Sequence, residues 1–549
     1  MKTTKLLLIL SLLFFSIVSC SDFLNEDNLR EPTADAYFNT QKGFSDLINS
    51  CYTNMRRTIG GGLFAIQEYG TDLWENGSDV EVNEFNTYSP MLNDGNSQVY
   101  NYWQYNYLGI TACNTAITRA KDPVTGMTSA QVTAKVAEAH LLRAWYYANL
   151  VMNFGDLIIV TDEVTSVVTT AMRSPAEDVF KLIFSDLEFA EANLPKTQAD
   201  FGRANQAVAK ALLARIHLWH KDYSLAEKYA KEVINGGYGY ALEPTFTQLW
   251  NQDNLTNKEI IWTIGFSPNP RINEPSNGLC LYFTCRYDLN PGMTRALEYS
   301  RPYPRYMATR KYLELMNSER WRDSRYEATF LEYYMANNPA TLSQGVNGPL
   351  QIGDTAVAHL PYAVTDEFRA KVKYRIHDIN SLFREDGTSY GSKEQFIAMT
   401  KYHDKYRDAI NSGTGTRSVF EIRFSEMYMI AAEALIMQNK PAEALPFVNV
   451  IRTRAAKPGK EADMQATLAD MNIDYILRER ALEFGGERYR WIDLKRTGKL
   501  IEYAKAWNPA TREFIKEEKH LLRPIPRNFI DRLTNREEYL RNGGQNPGY

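Results

Sequence analysis

The chain of 549 residues is longer than one average domain. Its 62 basic and 66 acidic residues leave a formal charge of −4, which gives no electrostatic footprint for binding nucleic acid. Five cysteines are too few for a disulfide scaffold of this size, and no apolar stretch beyond the first twenty residues is long enough for a transmembrane helix.

A short apolar segment opens the sequence. It begins at Leu6, behind Lys2 and Lys5, and is too short to cross a bilayer, so it predicts a secretory signal. The segment ends in Ile17-Val18-Ser19-Cys20, which resembles the bacterial lipobox. We therefore expect Cys20 to carry a lipid anchor, with the formal charge falling from −4 to −6 as the two lysines are removed. The alternative is a plain signal peptide with an incidental cysteine.

Helical periodicity dominates the next part of the chain. Residues 134–154 place apolar and small side chains at helical spacing and are followed by Gly155-Asp156, which predicts a long helix. Ser174 followed by Pro175 is typical of a helix start. The helix after it should bury Leu182, Ile183, Leu187 and Ala190.

Two later segments repeat one pattern of small residues. Ala214 and Ala226 are 12 positions apart, and so are Ala432 and Ala444. Small side chains at these two points let antiparallel helices approach, as in a tetratricopeptide hairpin. The usual Trp-x2-Leu-Gly start is absent, so these are degenerate repeats. Two unrelated amphipathic hairpins remain the alternative.

Between the repeats the helical pattern weakens. Residues 259–266 predict a short buried strand, whereas 72–103, 267–306 and 336–400 show no sustained period. Long irregular segments are commonly functional or disordered, and the aromatic content of these segments argues against disorder. Cys280 and Cys285 are close enough to pair, and their spacing does not decide whether they do.

No motif for catalysis or metal binding stands out. Glu479 and Glu483 lie among arginines, which favours salt bridges over a glycosidase pair facing across a cleft. His217 and His220 are better explained by packing or capping than as metal ligands. Residues 93–96 (NDGN) could touch calcium but are typical of an ordinary turn. Phosphate loops, HExxH, nucleophile elbows and EF-hand loops are absent from the sequence.

Four segments carry motifs in a recognisable order. They are 478–494 (RERALEFGGERYRWIDL), the final QNPGY preceded by Pro524-Ile525-Pro526, the set Trp103, Tyr107, Ile110 and Asn114, and Leu142-Arg143-Ala144 with Phe154-Gly155-Asp156. Together they resemble the SusD/RagB family over nearly the whole mature chain. Leu157-Ile158 departs from the family pattern, which has a proline there.

The resemblance implies a mostly α-helical fold in which tetratricopeptide-like hairpins form a scaffold for loop-rich insertions. It divides the chain into a signal peptide (1–19), an N-terminal helical part (20–240) and a C-terminal part with the insertions (241–549). It implies a glycan-binding lipoprotein of the outer membrane, without enzyme activity or cofactor, that delivers oligosaccharide to a TonB-dependent transporter barrel. The alternatives are a helical polysaccharide-degrading enzyme of the same locus and a pure protein-interaction scaffold.

The irregular segments supply the candidate glycan-binding residues. An aromatic face can cover the apolar C–H face of a pyranose, and polar side chains can pair with its hydroxyls. The expected ring platforms are Trp74, Tyr282, Tyr287 and Tyr303, and the expected hydrogen-bonding partners are Asp72, Asn76 and Arg286. The family's sites use this combination in corresponding loops, although no motif fixes the positions. Trp250 and Trp262 are assigned to the core.

Overall fold

The computed structural model describes residues 33–549. The protein is mostly helical, with about 48% of the chain in helices and little sheet, as predicted. The predicted signal peptide and Cys20 lie outside the described residues. In the part of the chain that is described, no helix is both long enough and apolar enough to cross a membrane.

The α-helices are α1 Ala34–Phe38, α2 Gln41–Arg57, α3 Ala65–Glu68, α4 Glu84–Thr87, α5 Ser97–Arg119, α6 Ser129–Phe154, α7 Ala176–Asn193, α8 Gln206–His220, α9 Tyr223–Asn235, α10 Phe246–Trp250, α11 Leu279–Tyr282, α12 Arg310–Ser318, α13 Arg325–Thr329, α14 Asp366–Lys371, α15 Ile379–Leu382, α16 Phe424–Met437, α17 Pro441–Ala455, α18 Ile473–Phe484, α19 Arg490–Arg496, α20 Leu500–Trp507, α21 Glu517–His520, α22 Arg527–Ile530 and α23 Arg536–Arg541. The strands are β1 Trp74–Asn76, β2 Ile260–Ile264, β3 Tyr306–Ala308, β4 Phe330–Leu331, β5 Tyr333–Met335, β6 Thr355–Leu360, β7 Arg375–Asp378, β8 Ala398–Met399 and β9 Val419–Arg423.

Eight long helices pack in succession to form the scaffold. Helix α2 packs on α5, α5 on α6, α6 on α7, α7 on α8, α8 on α9, α9 on α16 and α16 on α17. The four alanines of the predicted repeats are fully buried, at positions 214, 226, 432 and 444. Small side chains at these positions permit close helix approach, so the predicted hairpins α8–α9 and α16–α17 are confirmed.

The two helices predicted upstream are present with adjusted starts. Helix α6 begins at Ser129, where Thr128 and Gln131 form a capping box, and ends at Phe154. Helix α7 begins at Ala176, and its first backbone N–H donates to the carboxylate of Asp156 at 2.8 Å. The prediction that Ser174 caps this helix is therefore wrong. The carboxylate of Asp156, 20 residues before Ala176, accepts the hydrogen bond that a capping side chain would accept. On its predicted apolar face, Leu182 is half-buried and the other three residues are buried.

Small sheets connect distant parts of the chain. Antiparallel pairs join β1 with β3, β2 with β9, and β4 with β8, while β5, β6 and β7 form a mixed sheet. The predicted strand at 259–266 is β2, and its Trp262 is buried, as is Trp250 of α10. The segment 336–400 contains β6, α14, β7, α15 and β8, so its interpretation as irregular throughout was wrong. The short buried run Ala356–Leu360 supplies a strand without a helical period.

Buried ion pairs stabilise the junction of the C-terminal helices. Glu483 accepts from Arg423 at 3.0 Å and pairs with Arg454, and Glu479 lies 2.5 Å from Arg452. Burial raises the pKa of Glu483, but the guanidinium groups of Arg454 and Arg423 outweigh that effect and hold the pKa well below its usual range. The structural reading of the two glutamates is confirmed.

The four cysteines in the described residues are free and buried, at positions 51, 113, 280 and 285. Cys280 and Cys285 therefore do not pair in this structure. His217 and His220 both contact Asp222, and the ring of His217 stacks on Phe184 with centroids 4.1 Å apart. These are packing contacts of the kind expected from the sequence.

Candidate functional site

The pairing of β1 with β3 brings two irregular segments side by side. Asn76 lies opposite Tyr306, and beyond the strands the N–H of Gly77 donates to the carbonyl of Arg305 at 2.8 Å. The N–H of Asp79 donates to the carbonyl of Pro304 at 3.0 Å. A side chain at position 77 would place its Cβ 2.3 Å from the Pro304 oxygen, so only glycine permits this approach.

Two of the predicted platform residues meet at this junction. The rings of Tyr282 and Tyr303 pack edge to face with centroids 5.5 Å apart, and both side chains are half-buried. The buried guanidinium of Arg305 lies 4.2 Å from the Tyr282 ring centroid and 5.3 Å from that of Tyr303. We call Tyr282 and Tyr303 the tyrosine pair. Each of the two side chains keeps part of its surface exposed to solvent.

Acidic side chains surround the same guanidinium. Arg305 Nε donates to Asp79 at 2.8 Å, and a second nitrogen of Arg305 donates to Glu81. Burial raises the pKa of Tyr282, and the nearby Arg305 cation opposes that rise only in part, so the Tyr282 hydroxyl is protonated at neutral pH. The site thus combines ring faces, a hydroxyl donor and carboxylate acceptors within one junction.

Trp74 and Tyr287 are not exposed platforms in this structure. Trp74 is 1% exposed and packs edge to face on Phe283 and Tyr312, because the short β1–β3 pair turns its side chain inward. Tyr287 is fully buried, stacks on Tyr334 with centroids 5.0 Å apart, and donates to the carbonyl of Ser300 at 2.7 Å. Neither ring has a face accessible to a ligand, which corrects the expectation for both.

The three predicted polar partners are engaged within the protein. Asp72 is buried, and its carboxylate accepts two hydrogen bonds from Arg490, of 2.7 and 2.5 Å. Asn76 is buried, and its amide oxygen accepts from Asn86 at 2.8 Å. Arg286 is partly exposed and donates to Asp288 at 2.9 Å. Asp72 and Asn76 therefore act in the structure as supports for β1, and only Arg286 keeps an open side.

Sequence reasoning missed Asp79, Glu81 and Arg305, the charged residues that surround the tyrosine pair. All three lie in or next to segments predicted to be irregular, and Arg305 follows Tyr303 by two positions. Alternation in an extended segment would have placed Tyr303 and Arg305 on one side. The partnership with Asp79 depends on chain pairing over more than 220 residues, which no local pattern encodes.

The geometry of the junction suits binding better than bond cleavage. Glycoside hydrolysis requires two carboxylates that face each other across the scissile bond. Asp79 and Glu81 instead share the guanidinium of Arg305, which neutralises them on one side of the site. Ring faces with paired hydrogen-bonding groups hold a ligand without breaking it. The fold is a scaffold of packed helices, and the junction lies in the loop-rich segments that this scaffold carries.

Comparison with known proteins identifies the family. The profile described as "SusD family" matches residues 305–549, and that described as "Starch-binding associating with outer membrane" matches residues 22–218. The chain belongs to the SusD/RagB family, as the four sequence motifs predicted.

Individual relatives match most of the chain. The SusD-like protein P2 of Formosa agariphila is 25% identical over 525 residues, which cover 90% of this chain and 91% of that protein. A laminarin binding SusD-like protein superposes with a TM-score of 0.66 at 21% identity, covering 93% of this chain and all of that one. A surface glycan-binding protein A from Bacteroides fluxus superposes with a TM-score of 0.69 at 19% identity and covers the same shares. The two structural matches show the fold that the chain shares with them.

Proposed function

We propose that this protein is a glycan-binding lipoprotein of the outer membrane, which captures an oligosaccharide at the tyrosine pair and passes it to a TonB-dependent transporter. The observation that carries the proposal is the half-buried pair of Tyr282 and Tyr303 beside the Arg305, Asp79 and Glu81 cluster. The family description mentions starch binding at the outer membrane, and the names of two structural relatives refer to laminarin and to surface glycans.

A carrier must release its cargo, so the proposed affinity is modest, about micromolar to millimolar. Binding at the tyrosine pair would place a pyranose C–H face against one ring and its hydroxyls near the carboxylates of Asp79 and Glu81. Reaction chemistry plays no part in this mechanism. Incubation with the bound glycan should therefore release no reducing sugar, and sustained release would favour the polysaccharide-degrading alternative.

The binding test compares two tyrosine substitutions. The double variant Tyr282→Ala, Tyr303→Ala should lose at least tenfold in affinity for the glycan that wild type binds in a glycan-array screen, measured by calorimetry. Tyr406→Ala is the matched control, because Tyr406 is 53% exposed and lies outside the junction. If the double variant folds and binds as tightly as wild type, the tyrosine pair is not the site.

Membrane attachment and delivery form the second part of the proposal. Cys20→Ala should move the protein from the membrane fraction to the soluble fraction, because stable anchoring depends on acyl chains at that residue. The wild-type protein should co-purify with a barrel transporter from detergent-solubilised outer membrane, over an interface that for stable assemblies commonly exceeds about 2,000 Å². Absence of the barrel from the purified material would contradict the delivery step and favour a carrier that acts alone.

A further inference from the structure

A large cleft lies on the helical scaffold. It has a volume of about 560 Å³, within the range of ligand pockets, which is about 300–1,000 Å³. Its walls come from α2, from the loop at 200–203, from the end of β2 and from residues 272–274. It shares no lining residue with the tyrosine pair or with Arg305.

A second cavity of about 240 Å³ adjoins the cleft across the same loop. Asp200, Phe201, Gly202, Arg203 and Thr263 line both spaces. The second cavity continues past Tyr238 and Tyr240, whose side chains are half-buried. The two spaces lie next to each other on either side of the loop that carries Phe201, and we call them together the Phe201 groove.

The loop that carries Phe201 has a defined backbone conformation. Phe201 is 47% exposed and lines both cavities. Gly202 has φ +85°, and a Cβ there would lie 2.8 Å from the Thr263 side chain, so the loop turns at a residue that only glycine fits. Trp262 Nε1 donates to the Gly202 carbonyl at 3.0 Å, and Arg203 pairs with Glu138 at 2.8 Å. These contacts hold the backbone that follows the exposed ring.

Polar groups with free bonding capacity line the larger cleft. The carboxylates of Asp200 and Glu274 form neither an ion pair nor a side-chain hydrogen bond within residues 33–549. Arg56 donates to the carbonyl of Ile272 at 2.7 Å and has no carboxylate partner in the same range. The groove is thus lined by negatively charged acceptors and by a positively charged donor. This combination suits a neutral ligand rich in hydroxyls.

We propose that the Phe201 groove is a second glycan-binding site, which holds a neutral oligosaccharide chain with one sugar ring stacked on Phe201. A chain ligand fits because the two cavities continue on either side of the ring, whereas a single sugar would fill only one of them. The proposal rests on the proposed function, since it takes a glycan as ligand. It adds a separate site, on the helical scaffold, that would keep a polysaccharide near the tyrosine pair between capture events.

The test measures binding of neutral hexasaccharides by titration calorimetry on the full mature protein. The probes are maltohexaose, laminarihexaose, cellohexaose, xylohexaose and mannohexaose. We expect at least one probe to occupy two sites per chain in wild type. Phe201→Ala should remove one site or weaken it at least tenfold, Phe201→Trp should retain it, and disaccharides of the same sugar should lose most of the Phe201-dependent binding.

Controls separate the groove from a general effect on folding. Phe368→Ala removes another exposed phenylalanine, 43% exposed on α14, and should leave both sites unchanged. Because Phe201 is exposed, its alanine variant should keep the wild-type melting temperature. Asp200→Asn provides a second variant that keeps the ring and should weaken the same site.

The outcomes distinguish this proposal from the proposed function. If the double tyrosine variant abolishes all hexasaccharide binding and Phe201→Ala changes none, the Phe201 groove is overturned and the proposed function stands. If Phe201→Ala abolishes all binding and the tyrosine variant changes none, the groove is the only site and the tyrosine pair is overturned. If no probe binds wild type, both proposals fail.

Discussion

Glu68 shows how burial alters the chemistry of one residue. Its carboxyl is fully buried at the end of α3, where one oxygen accepts from the N–H of Arg488 at 2.6 Å. Burial raises its pKa to about 8, although the Arg488 N–H and the Arg490 and Lys401 cations oppose the rise. At neutral pH the folded protein therefore holds this group as a neutral acid, in the core rather than at a ligand site.

The raised pKa predicts a pH dependence of stability. Between the unfolded pKa of about 4.5 and the folded pKa of about 8, the folded state binds one more proton at Glu68 than the unfolded state. As the pH rises through this window, the contribution of Glu68 to the free energy of unfolding should fall by up to about 1.4 kcal/mol per pH unit. Glu68→Gln should flatten that slope in urea unfolding at pH 5, 6.5 and 8, while exposed Glu537→Gln keeps it. Parallel profiles for wild type and Glu68→Gln would contradict the assignment.

Alanine substitutions of Trp74 and Tyr303 should affect different properties, the first the stability of the fold and the second glycan affinity. Trp74 fills a core position among Phe283 and Tyr312, so Trp74→Ala should lower the free energy of unfolding by about 3–5 kcal/mol. Tyr303→Ala removes a half-buried ring and should change glycan affinity more than stability. Thermal melts and calorimetry on both variants test this division. A Trp74→Ala protein as stable as wild type would show that the ring is not a core residue.

At the scale of elements, the helix crossings depend on alanine. Ala214 and Ala432 are fully buried where α8 meets α9 and α16 meets α17. Leucine at either position should overpack the crossing and cost about 1–3 kcal/mol. Ala442→Leu on the exposed face of α17 is the control, because it adds the same volume without a neighbouring helix. Unchanged denaturation midpoints for both buried variants would contradict the crossing geometry.

The same elements show what the sequence could predict. The alanine spacing in α8–α9 and α16–α17 is a local pattern, and the contacts that it sets are between neighbouring helices, so the hairpins were predictable. Tyr282 and Tyr303 could be named as candidates, because both lie in segments without helical period, but their contact with each other could not be predicted. The Arg305–Asp79 contact and the inward turn of Trp74 follow from β1–β3 pairing between residues more than 200 positions apart. No local preference encodes that register.

At the scale of the whole molecule, the predicted parts 20–240 and 241–549 share one interior. A continuous apolar cluster includes residues from Phe44 to Tyr539. Arg215 of α8 crosses the boundary, since it contacts Glu426 at 2.7 Å, Glu421 at 3.0 Å and the Tyr489 hydroxyl at 2.8 Å. The two parts therefore bury apolar surface against each other in this shared cluster. We therefore expect them to unfold together.

Arg215→Met tests that expectation. The substitution keeps an apolar stem of similar length but leaves Glu421 and Glu426 buried without this cation, which should cost about 3–5 kcal/mol. The variant should still melt in one transition, at a lower temperature, because the weakened contact joins both parts. Lys42→Met, which breaks an exposed pair with Asp46 on α2, is the control and should melt with wild type. One calorimetric result would contradict the expectation: two transitions in Arg215→Met, one of them at the wild-type temperature. That result would show that the two parts fold independently and that the buried ion pairs between them contribute little to the stability of either part.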